Sequence, residues 1–76
     1  MAKHKTIEEA TRHYVLSSIR AFLEDKKNLN WVLGAIKSSG VRDQRLKEIF
    51  NRLQHYGNTE RYYEVLSACQ NQGWIS

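Results

Sequence analysis

The sequence predicts an all-α protein, a compact four-helix domain built from two helical hairpins. Apolar residues recur at helical spacing in four segments, and no segment alternates apolar and polar residues as a strand does. The chain has no proline, and three of its four glycines follow apolar-periodic segments, where a helix would end. A chain of 76 residues would bury about 60% of its unfolded surface, so we expect residues 1–76 to form one small domain.

The first helix is expected to begin after Thr6, because Thr6 and Glu9 have the spacing of a capping box. Before it, residues 1–5 are basic, and we expect them to form a flexible N-terminal arm. The helix runs to about Asp25, and its apolar residues share one face of a helical wheel. That face consists of Ile7, Thr11, Tyr14, Val15, Ile19 and Phe22, with Leu16 and Leu23 at its edge.

Asn28 is the predicted N-cap of the second helix, which runs to about Ser38 before Gly40 ends it. Trp31 and Ala35 add a second contact face to this helix. Its main core stripe is Leu29, Val32, Leu33 and Ile36.

Asp43 is predicted to cap the third helix, and Gly57 to stop it. Asn58 or Thr59 then caps the fourth helix, which Gly73 closes. The apolar stripe of the third helix is Leu46, Ile49, Phe50 and Leu53; that of the fourth is Tyr62, Val65, Leu66 and Cys69.

Residues 31–41 are echoed by residues 64–74 at a constant offset of 33. The matched residues are Val32, Leu33, Ala35, Gly40 and Val41, which correspond to Val65, Leu66, Ala68, Gly73 and Trp74. Either a helical hairpin was duplicated, or two helices end with the same glycine and apolar residue. Helices 1 and 3 align poorly at this offset, which favours the second interpretation.

Composition and charge narrow the class of protein. The net charge of +4 allows nucleic acid or an acidic protein surface as a partner, and it requires neither. The longest apolar run, residues 31–36, is far shorter than the roughly 20 residues that span a bilayer, so no membrane association is expected. Cys69 is the one cysteine and cannot form an intrachain disulfide, so a reducing, cytoplasmic location is expected.

Catalysis is not expected. His4, His13 and His55 are scattered and have no second ligand at the spacing of a zinc site. Cys69 lies on an apolar stripe with no neighbouring base to activate it. We therefore expect no enzyme activity, no metal and no cofactor.

A helix-turn-helix DNA-binding transcriptional regulator is one functional hypothesis, with helix 2 as the support, residues 38–41 as the turn and helix 3 as the reader. The DNA-contacting residues would be Arg42, Gln44, Arg45, Lys47 and Arg52. However, Glu48 has the spacing to pair with Arg45 and Arg52 along the same helix, which would make this face an ordinary solvated one.

A second window, with helix 4 as the reader, is less favourable. The ending of the chain resembles the end of a winged-helix recognition helix, but the chain stops before a wing could form. Glu60 and Glu64 would also face the phosphates of DNA.

Binding of a protein partner is the leading hypothesis. The eight aromatic residues are many for a domain of this size, and exposed Tyr and Trp are enriched at binding hot spots. The predicted protein-binding residues are Trp31, Tyr56, Tyr63 and Trp74. We expect a small intracellular regulator or adaptor, a class often encoded by phages and mobile elements, and a homodimer would enlarge its small core.

Overall fold

A computed structural model describes residues 6–75 of the chain and confirms the predicted fold class. The domain is compact, and its four helices are α1 (Ile7–Leu23), α2 (Leu29–Ser39), α3 (Asp43–Arg52) and α4 (Thr59–Asn71), with no strand between residues 6 and 75. The predicted flexible arm, residues 1–5, lies outside the described residues.

The helix α1 is the centre of the fold, because it packs against each of the other three helices, most extensively against α2. The apolar stripe predicted for α3 is buried along its whole length. The largest side chains that are completely enclosed are Phe22, Phe50, Ile19, Ile36, Leu46, Val15, Val32, Val65 and Cys69. Every helix contributes to this set, so the four helices bury their apolar faces in one shared core.

Three of the four helices begin at the predicted caps. The side chains of Thr6, Asn28 and Asn58 each accept a hydrogen bond from the backbone N–H three residues later, at 3.0, 2.8 and 3.1 Å. The prediction for α3 was wrong, because Asp43 is its first helical residue and the preceding Arg42 provides no side-chain cap. Asp43 has a positive φ of 52°, and its N–H donates instead to the carbonyl oxygen of Trp74 at 2.7 Å.

The apolar face predicted for α1 was partly wrong. Ile7 is 87% exposed and Tyr14 is 50% exposed, whereas Leu23, placed at the edge, is buried. At about 100° per residue, Ile7 and Tyr14 lie nearly in line with each other and roughly a quarter turn from Val15. The buried face of α1 is therefore rotated toward Leu23 relative to the prediction.

Contacts between turns hold one end of the domain together. Arg61, in the first turn of α4, donates to the carbonyl oxygen of Phe22 at 3.2 Å and pairs with the carboxylate of Asp25 at 2.6 Å. The guanidinium of Arg61 also lies 4.7 Å from the ring centre of Phe22. Gly57 lies against the backbone of Leu23, so the connection between α3 and α4 packs directly on the end of α1.

The echoed segments end in different ways. Gly40 and Gly73 both have positive φ, as the pattern predicted. After Gly73, the N–H of Trp74 bonds to the carbonyl oxygen of Cys69, which closes a Schellman motif. After Gly40, the N–H of Val41 instead bonds to the side-chain oxygen of Ser39. The echo is thus a shared glycine and apolar residue, not a repeated pattern of hydrogen bonds.

Among residues 6–75, no helix is both long enough and apolar enough to cross a membrane.

Two glycine substitutions test the packing of the turns. Gly57 has a φ of 67°, and a Cβ there would lie 2.9 Å from the carbonyl oxygen of Leu23. We expect Gly57→Ala to lower the free energy of unfolding by about 2 kcal/mol or more, because backbone strain and a steric clash act together. Urea unfolding followed by circular dichroism measures this.

Gly34→Ala is the matched control, because Gly34 is inside α2 and a Cβ there would meet no atom within 4 Å. We expect this substitution to raise the free energy of unfolding by about 0.5–1 kcal/mol through helix propensity. If both variants shift stability in the same direction, the description of the turn at Gly57 is wrong.

Candidate protein-binding groove

The four predicted protein-binding aromatic residues occupy separate environments. Trp31 is 40% exposed, with the ammonium of Lys27 5.1 Å from its ring centre. Tyr63 is 56% exposed and packs edge-on against Tyr62, with 5.2 Å between the two ring centres. Burial and the adjacent Tyr63 raise the pKa of Tyr62, whose hydroxyl donates to the carbonyl oxygen of Phe50 at 3.1 Å. Trp31 and Tyr63 are therefore the two exposed members of the set.

Tyr56 is half-buried in an intramolecular cluster at the end of α1. Its hydroxyl donates to the carboxylate of Glu24, and it accepts a hydrogen bond from Arg20 at 3.2 Å. The guanidinium of Arg20 also lies 4.9 Å from the centre of the Tyr56 ring. Lys26 pairs with the other oxygen of Glu24 at 3.0 Å. These contacts fasten the connection between α3 and α4 to α1.

Trp74 is half-buried and stacks against Arg42, a residue from the DNA-binding set. The guanidinium of Arg42 lies 4.6 Å from the ring centre of Trp74. The same guanidinium donates to the carbonyl oxygens of Ile36, Lys37 and Val41 at 3.0, 3.2 and 2.8 Å. Arg42 therefore caps the C-terminus of α2, a role that its position just after a helix-ending glycine could have indicated. We call this arrangement the Arg42–Trp74 clamp.

The four aromatic residues contact four different sets of neighbours, and no two of their rings touch one another anywhere in residues 6–75. They therefore do not form one aromatic patch.

The other residues of the predicted DNA-binding set are exposed on α3: Gln44, Arg45, Lys47 and Arg52. The intrahelical pairing expected for Glu48 is not the one in the structure. Arg45 instead pairs with Glu8 of α1 at 2.8 Å, and Glu48 pairs with Arg12 of α1 at 3.7 Å. Within residues 6–75, the side chains of Arg52 and Lys47 have no hydrogen bond, ion pair or ring contact.

A groove runs between α1 and α3 beneath these cross-helix ion pairs. Its larger part, of about 280 Å³, has Leu16 and Ile49 among its lining residues. A second part, of about 230 Å³, extends past Ile7 to the turn at Gly40. The two parts share Arg12 and Arg45. We call the two together the α1–α3 groove.

Charges of both signs line this groove. The cationic side chains are those of Arg12, Arg45 and Arg52, and the carboxylates are those of Glu8, Glu9 and Glu48. His13 also lines the larger part, and its ring lies 3.4 Å from the hydroxyl of Ser17. A groove that combines a few apolar side chains with charges of both signs can recognise a surface that combines apolar, acidic and basic groups.

Sequence reasoning identified Arg45 and Arg52 but missed Arg12, His13 and Leu16. All three missed residues belong to α1, which was considered only as a core helix. The available signal was the spacing of Arg12 and Leu16, which are four residues apart at the edge of the apolar face and so lie side by side on the helix.

The thiol of Cys69 lies in the interior of the domain. Cys69 is completely buried, and burial raises the pKa of its thiol to about 12, only partly offset by the charge of Arg42. Within residues 6–75, no three His, Cys, Asp or Glu side chains could together hold a metal ion.

Comparison of the chain with protein-family models, with curated proteins and with solved structures found no match.

Replacing Arg42 tests whether the Arg42–Trp74 clamp supports the fold. We expect Arg42→Ala to lower the free energy of unfolding by about 2 kcal/mol, because three carbonyl groups lose a charged donor. Arg45→Ala, which removes only an exposed ion pair, should change it by less than about 0.5 kcal/mol. Urea unfolding measures both, and equal losses would contradict a structural role for Arg42.

A background carrying Trp31→Phe leaves Trp74 as the one tryptophan, so its fluorescence reports on the clamp directly. In that background Arg42→Ala should shift the emission of Trp74 toward that of a solvated indole, and Arg45→Ala should not.

The thiol of Cys69 should be protonated and unreactive in the folded protein. The pKa of the thiol is raised from 9.0 to about 12. The protonated thiol therefore makes its full contribution to the free energy of unfolding below pH 9, and that contribution is lost as the pH rises toward 12. A thiol-specific reagent at about pH 8 should react slowly with the native protein and rapidly in urea.

Cys69→Ala provides the control for the pH dependence, because the tyrosines also titrate in this range. The free energy of unfolding should fall less steeply above pH 9 in this variant than in the parent protein. Identical slopes would show that the thiol of Cys69 is not shifted.

Proposed function

We propose that this domain acts without catalysis, by binding a protein partner in the α1–α3 groove. The observation that carries the proposal is the groove's composition, with apolar Leu16 and Ile49 among its lining residues and three arginines interleaved with three glutamates. Apolar surface surrounded by polar groups is typical of protein interfaces, and alternating charges specify a partner with the complementary pattern.

The same composition disfavours the alternative of a DNA-reading α3. Glu8, Glu9 and Glu48 lie beside the arginines, and carboxylates facing a phosphate backbone oppose binding. The guanidinium of Arg42 donates to three carbonyl groups of its own chain and stacks on Trp74, so using it on a base would require breaking the clamp.

The ion pairs that bridge the groove leave it accessible to a partner. The pairs between Arg45 and Glu8 and between Arg12 and Glu48 bridge α1 and α3 through exposed side chains. Exposed pairs contribute only about 0–1 kcal/mol each, so a partner can rearrange them at small cost. A partner that separates these pairs must supply charges that pair with the same arginine and glutamate side chains.

Site-specific photo-crosslinking tests the location of the binding surface. A photoreactive amino acid is placed at Arg45, in the groove, or at Lys47, which is exposed on the same helix but does not line the groove. In cells that express the chain, we expect a discrete protein adduct from position 45 and none from position 47. Equal adducts at the two positions, or none at either, would contradict the proposal.

The nucleic-acid alternative is tested by fluorescence anisotropy with a mixed-sequence duplex DNA at two salt concentrations. We expect no saturable binding in the micromolar range. Tight binding that weakens steeply with salt would show several phosphate contacts, and would favour α3 as a DNA-binding helix.

A further inference from the structure

We propose that the α1–α3 groove takes an acidic amphipathic helix, whose apolar end lies by Ile7 and whose carboxylate pairs with Arg52. This inference rests on the proposed function, and it specifies the chemistry of the partner. It follows from which charges in the groove are already paired, from the exposure of Ile7, and from the kind of backbone that such a groove can accept.

Arg52 is the groove cation that lacks a partner within residues 6–75. A Glu–Arg pair at i, i+4 is an ordinary feature of a helix, and Glu48 has that spacing to Arg52. In the folded domain, however, the carboxylate of Glu48 lies 3.7 Å from Arg12 of α1. Because the packing of α1 against α3 pairs Glu48 with Arg12, the guanidinium of Arg52 is exposed and has no partner in the described chain. It lies at one end of the groove.

The charged side chains in the middle of the groove are already paired with one another. Arg45 and Arg12, which both parts of the groove share, are paired with Glu8 and Glu48. A further carboxylate there would meet the glutamates already present. The acidic group of an occupant is therefore best accommodated at the Arg52 end.

The opposite end of the groove exposes a large apolar side chain. Ile7 is 87% exposed, the most exposed large apolar side chain in the described chain, and it lies beside Thr11 and Gly40. An apolar residue of the occupant placed there would remove the side chain of Ile7 from water, which is favourable in proportion to the area covered. The groove thus has the exposed Ile7 in one part and the exposed Arg52 in the other.

A helix is the occupant whose backbone fits this surface. Residues 6–75 contain no strand, so they offer no sheet edge to pair the N–H and C=O groups of an extended peptide. A helix satisfies those groups internally and presents only side chains. The groove residues of α1 run from Ile7 to Leu16, about 13.5 Å, which matches a helical segment of about ten residues.

A display library of helical peptides provides the test, since the natural partner is not identified. Each peptide has about four helical turns, a fixed apolar stripe at i, i+3, i+4 and i+7, and random Asp, Glu, Asn, Gln, Lys or Arg elsewhere. Selection against the full chain should enrich Asp or Glu at one end of the stripe. The strongest binder should lose about tenfold in affinity to Arg52→Gln, and none to Lys47→Gln, the matched loss of an exposed, unpaired cation from α3.

A charge exchange makes the pairing specific. Arg52→Glu should abolish binding of the acidic peptide, and replacing the enriched carboxylate with Lys should restore it to the Arg52→Glu protein. Arg52 is exposed and without a partner in the described chain, so these substitutions leave the fold intact, which circular dichroism verifies. If replacing the enriched Asp or Glu of the peptide with Asn or Gln leaves its binding unchanged, the inference is overturned.

Ile7→Glu distinguishes failure of the inference from failure of the proposed function. Because Ile7 is almost wholly exposed, this substitution changes the groove and not the core. If Ile7→Glu weakens the enriched peptides but Arg52→Gln does not, the groove is the binding site and the acidic pairing is wrong. If neither variant weakens binding, the peptides bind outside the groove, which contradicts both the inference and the proposed function. If no peptide is enriched, the inference alone is contradicted.

Discussion

The rest of the structure depends on the guanidinium of Arg42. Its planar array of donors reaches three carbonyl oxygens at the end of α2, and its face lies on the ring of Trp74. The carbonyl oxygen of Trp74 in turn accepts from the N–H of Asp43, the first residue of α3. One side chain therefore links the end of α2, the start of α3 and the segment after α4.

The direction of α3 places its charged flank beside α1, and the groove is the result. The helix α1 uses one face for the core and the adjacent flank for Arg12, Glu8 and Glu9, so a single helix supports both packing and the candidate site. Contacts at the other end of the domain, from Arg61 to Phe22 and Asp25, hold α4 against the same helix. The groove is thus framed by elements that are anchored at both ends of the domain.

The candidate site was only partly predictable from the sequence. Arg45 and Arg52 stood out because they lie on an amphipathic helix, but their neighbours Arg12 and Leu16 are 29 to 40 residues away in the chain. Such proximity depends on how α1 and α3 cross, which no local pattern encodes. Residue type also singled out Tyr56 and Trp74, but it did not indicate the contacts that both rings make within their own chain.

The sequence by itself determined the four helices, the caps at Thr6, Asn28 and Asn58, and the buried stripe of α3. These features depend on hydrogen bonds and side-chain spacings within about four residues, so local residue types are sufficient to specify them. Tertiary structure alone decided that Ile7 is exposed, that Asp43 is not a cap, and that Glu48 pairs with α1. Alternative ion pairs on a surface differ by only a few tenths of a kcal/mol, so the packing of the helices chooses between them.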